Sequence, residues 1–131
     1  MKKKKYNGIY QLKVTLKGIR PPIWRRIQVP ETYSFWDLHM AIQDAMCWMD
    51  YHLHEFIVPD PGGGERVRIG MPDPEFAFYG SILPEEKQWI SDWFSPESKP
   101  AEYRYDFGDD WAHTVKLEKI LPREEGVDYP R

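Results

Sequence analysis

Apolar and polar positions alternate at both ends of this chain. Tyr10, Leu12, Val14 and Leu16 interleave with Gln11, Lys13, Thr15 and Lys17. A period of two marks a strand with one buried face. Gly18-Ile19-Arg20-Pro21-Pro22 breaks the pattern with turn formers. Ile23, Arg25, Ile27 and Val29 then alternate with Trp24, Arg26 and Gln28 as far as Pro30. So short a connection predicts an antiparallel hairpin. Near the other end, Tyr103, Tyr105 and Phe107 share one face and Arg104 and Asp106 the other. After a Gly108-Asp109-Asp110 corner, Trp111, His113, Val115 and Leu117 oppose Ala112, Thr114, Lys116 and Glu118. This is a second hairpin.

The middle changes period. Ser34 is placed as a helix N-cap, with Asp37 three residues on in a capping-box position. Phe35, Leu38, Ile42, Ala45, Met46 and Met49 follow at helical spacing, which predicts a helix over about residues 35–48. Its few charges, Asp37 and Asp44, indicate a broad buried face against a sheet. His52 to Val58 predicts a third strand, with His52, His54, Phe56 and Val58 on one face. Pro59-Asp60-Pro61-Gly62-Gly63-Gly64 is a loop; no Gly-Lys-Ser/Thr follows, so it is not a phosphate-binding loop. Arg66 to Gly70 predicts a short fourth strand, and Pro84 to Phe94 a short helix. The expected fold is therefore α+β, ordered ββαβ(β)(α)ββ: a mostly antiparallel sheet packed against one main helix, with a β-grasp-like arrangement as one outcome.

At 131 residues the chain is sized for one domain, with a basic arm over residues 1–7 and a tail over 122–131. Its apolar runs are too short to span a bilayer. No apolar stretch follows the Lys2–Lys5 run, so a secretory signal is not expected. Cys47 is the only cysteine, which excludes an internal disulfide and a cysteine-based zinc site and points to the cytoplasm. The net charge of -3 hides a polarity: the first thirty residues hold nine of the eighteen Lys and Arg and none of the twenty-one Asp and Glu. Such a basic end suits an acidic partner or nucleic acid.

Several motifs together resemble a known family. They are Trp24-Arg25-Arg26, Val29-Pro30, Phe35-Trp36-Asp37-Leu38-His39, Ile42-Gln43, His52-Leu53-His54-Glu55-Phe56, and Tyr105-Asp106-Phe107-Gly108-Asp109-Asp110-Trp111-Ala112-His113. This set resembles the Ri-plasmid ORF-3-like family over roughly residues 8–121. Family members often continue beyond the last hairpin into a Cys-Pro-Pro-Glu-Asp segment, which this sequence does not contain. Some are labelled TnpR-like or resolvase-like, but the residues do not support recombinase chemistry. The first serine, Ser34, is placed as a helix cap, and no histidine is followed three residues later by arginine. The resemblance brings no catalytic role to any residue.

Three constellations remain as candidate chemistry. His39, His52, His54, His113 and Asp106 have the donor types of a zinc or other divalent-metal site. Asp106, Asp109 and Asp110 form an acidic corner suited to a cation or to acid-base work, or simply to turn hydrogen bonding. Lys13, Lys17, Trp24 and Arg26, with Gln28 beside them, would put cations and a ring on one strand face, as nucleic-acid binding needs. Trp36, Trp48, Trp89, Trp93 and Trp111 divide between core and contact surface in a way the sequence does not sort. The expected function is a small cytoplasmic binding or interaction domain without evident catalytic machinery, working through a protein partner and without a cofactor. The alternatives are a nucleic-acid-associated accessory protein of mobile elements and a metal-dependent enzyme with a His/Asp site.

Overall fold

A computed structural model describes residues 8–48, 54–71, 82–105 and 111–131. The first alternating run is strand β1 (Gly8–Leu16), and the second is β2 (Ile23–Pro30). They pair antiparallel, Leu12 opposite Ile27 and Lys13 opposite Arg26. Gly18, at φ 80°, takes the left-handed conformation in the turn between them. Helix α1 (Phe35–Met46) begins with a complete capping box. The Ser34 hydroxyl accepts from the Asp37 N–H at 3.2 Å, and the Asp37 carboxylate accepts from the Ser34 N–H at 3.0 Å. The helix ends two residues before the expected boundary because Cys47 turns left-handed, at φ 61°.

Strands β3 (His54–Val58) and β4 (Val67–Gly70) follow. The expected helix over Pro84–Phe94 is corrected. Leu83–Pro84 is a two-residue strand, β5; Glu85–Lys87 is a single 3₁₀ turn; only Ile90–Trp93 is helical, as α2. The reason is tertiary. Gln88 and Trp89 stay extended so that their neighbourhood pairs with the start of α1: Phe35 N–H donates to the Gln88 carbonyl at 2.9 Å, and Ile90 N–H to the Tyr33 carbonyl at 3.0 Å. Such pairing overrides the partial helical spacing of Trp89, Ile90 and Trp93. Strands β6 (Ala101–Tyr105) and β7 (Trp111–Pro122) complete the chain.

All seven strands form one sheet, in the order β2-β1-β7-β6-β3-β4-β5. Among the described residues every pairing is antiparallel except β4 with β5, so the sheet is mixed, and these residues are mostly β with one substantial helix. The fifth strand was not expected. The strand order does not establish a β-grasp-like arrangement: β1 and β7 lie side by side but run antiparallel.

One sheet face makes the core. Tyr10, Leu12, Val14, Ile27, Val29, Phe56, Tyr103, Val115 and Leu117 pack there against Phe35, Leu38 and Ile42 of α1. Across the other face run Lys13, Arg26, Glu118, Glu102, Arg104, Glu55 and Arg68, in ion pairs such as Arg68–Glu55 at 2.7 Å and Arg104–Glu102 at 3.2 Å. The β1–β7 register slips between Gln11 and Leu12, whose partners are Lys119 and Leu117. Glu118 is the extra residue of this bulge.

Candidate functional site

Two imidazoles meet where α1 packs on the sheet. His39 is fully buried on α1 and His54 is buried at the start of β3. Their rings stack with centroids 3.5 Å apart and 7° between planes. Each ring nitrogen edge then points sideways to another partner. His54 Nε2 lies 2.7 Å from Glu85 Oε1, an acid of the 3₁₀ turn that is itself buried. His39 Nδ1 lies 2.7 Å from the Tyr103 hydroxyl. Gln43, one turn along α1, donates to the same oxygen at 2.8 Å. Trp36 covers the pair, with ring centroids 5.2 Å from His39 and 6.3 Å from His54. Glu85 Oε2 is buried and has no hydrogen-bond partner among the described residues.

His113 sits on the far side of Tyr103, directly across the β6–β7 ladder. Its Nδ1 lies 3.1 Å from the Tyr103 carbonyl, which only accepts, so the proton is on Nδ1. Trp48 then donates its indole N–H to His113 Nε2 at 3.4 Å. This tautomer is neutral, and burial pushes the His113 pKa below its ordinary value. The unfolded chain therefore takes up this proton first as pH falls. Stability is expected to be full above about pH 6.5, the usual histidine value, and to decline below it. Urea midpoints at pH 7.5 and 5.5 test this against His113→Asn; an equal fall in both proteins would show that another group is responsible.

The expected metal set is thus only partly placed. His39 and His54 come together, while His113 lies beyond Tyr103 with both nitrogens engaged. His52 and Asp106 fall outside the described residues, as do Asp109 and Asp110 and with them the acidic corner. Among the described residues, no group of three or more His, Cys, Asp or Glu is disposed to hold a metal ion. Tyr103, Gln43, Trp48 and Glu85 were not anticipated. Tyr103 had the signature of an ordinary core strand residue. Glu85 lay inside a segment expected to be helical.

Three of the four members of the basic constellation lie together. Lys13, Trp24 and Arg26 share the open sheet face at the β2 end. Lys13 Nζ lies 4.7 Å from the Trp24 ring centroid, and the Arg26 guanidinium 5.2 Å from it. Arg26 also grips Glu118 through two bonds, of 2.6 and 3.0 Å. This contact raises the pKa of the arginine and lowers that of the carboxylate. Lys17 approaches Glu102 at 3.9 Å, so it lies farther across the face. Trp24 is 42% exposed beside Ile23 at 38%, both large apolar side chains at the mouth of the basic hairpin.

The family model for plasmid pRiA4b ORF-3-like proteins matches residues 8–131. The chain belongs to the plasmid pRiA4b ORF-3-like family. The chain is 37% identical over 115 residues to the uncharacterized protein y4hQ of Sinorhizobium fredii, covering 88% of this chain and 56% of that protein. The chain thus spans little more than half of this longer relative. A crystal structure of a protein of unknown function, MM3350 from Methanosarcina mazei Go1, superposes with a TM-score of 0.87 at 52% identity. That match covers 96% of this chain and 67% of the other. As an ORF-3-like protein the chain has relatives described as uncharacterized or of unknown function, and none of these descriptions indicates a catalytic activity. Among the described residues, no helix is long and apolar enough to cross a membrane.

Proposed function

We propose that this ORF-3-like domain is a binding domain whose working surface is the basic end of the sheet and whose partner is a protein. The carrying observation is the exposed Ile23–Trp24 pair set among Lys13, Arg25 and Arg26. A large ring held out at a sheet margin and flanked by cations has the composition of an interaction hot spot, where Trp and Arg are over-represented. The buried histidines support the same reading. Their hydrogen bonds tie α1 to the sheet through Tyr103, β3 to the 3₁₀ turn through Glu85, and β7 to Trp48 just beyond α1. We place the protein in the cytoplasm, on the strength of its single cysteine.

A second reading, nucleic-acid association, is favoured by the same Lys13–Trp24–Arg26 cluster. A third, a metal-dependent enzyme built on His39, His54 and His113 with His52 and Asp106, requires stoichiometric divalent metal in protein purified without a histidine tag. The first two readings part in one experiment. A photoreactive phenylalanine analogue at Trp24, irradiated in the source cell, is expected to yield a discrete adduct with a polypeptide. An adduct digested by nuclease instead would replace our reading with the second, and no adduct would remove both.

A further inference from the structure

We draw no further inference here: the strongest candidate, the groove of about 400 Å³ between residues 59–61 of the β3–β4 loop and residues 91–99 along and after α2, is marked for a ligand only by the exposed carboxylates of Asp60, Asp92 and Glu97, and no second observation among the described residues shows what would occupy it.

Discussion

Tyr103→Phe is expected to destabilise the domain by about 2–4 kcal/mol, although it deletes one oxygen atom. Tyr103 is fully buried, and its hydroxyl bonds both His39 Nδ1 and the Gln43 amide. Removing it takes one hydrogen bond from each of two buried polar groups on α1, at roughly 1–2 kcal/mol apiece, the lower part of the range for a buried group that loses a partner. The ring itself stays, so its packing on Phe56, with centroids 4.8 Å apart, is kept. The backbone carbonyl that holds His113 is kept as well. The loss is therefore polar, which separates it from an ordinary cavity mutation. Urea titration measures it. A change below about 0.5 kcal/mol, the scale of a substitution without buried consequences, would mean that water or another group replaces the hydroxyl. Tyr103→Phe combined with His39→Leu and Gln43→Leu should recover part of the loss, because removing both sides of a buried polar contact is often nearly neutral.

The architecture was legible where local chemistry and tertiary context agree. Ser34 and Asp37 announce the start of α1 because the capping box closes within four residues. The alternation from Tyr10 to Leu16 announces β1 because a half-buried strand needs period two. Where context decides, sequence reasoning failed. The residues from Pro84 to Phe94 carry enough helical spacing to mislead, but bonds to Tyr33 and Phe35 keep Gln88 and Trp89 extended. The same limit applies to the candidate site. Four histidines suggested a shared ligand, yet the distance between His39 and His113 depends on where Tyr103 stands between them. Nothing near Glu85 in sequence signals that it will meet His54, 31 residues away. The basic hairpin was legible because its members are paired by register alone, Lys13 opposite Arg26 and Thr15 opposite Trp24. Its tie to Glu118 was not, since that depends on a bulge 92 residues further along the chain.

Phe35→Ala is expected to cost about 3–5 kcal/mol, the range for truncating a buried aromatic ring. Phe35 is the first residue of α1 and is fully buried. Its ring meets Phe56 of β3 edge-on at 5.0 Å and stacks on Phe94 at 5.8 Å. One side chain thus joins the helix, the sheet and the segment after α2. Its backbone N–H still reaches Gln88 in the variant, so the cavity is held open and does not collapse easily. Against a total stability of roughly 5–15 kcal/mol for a single domain, the fall is a large fraction. A thermal melt should drop by roughly 10–20 °C, given a few degrees per kcal/mol at this chain length. A drop of only a degree or two would show that Phe56 and Phe94 close over the space.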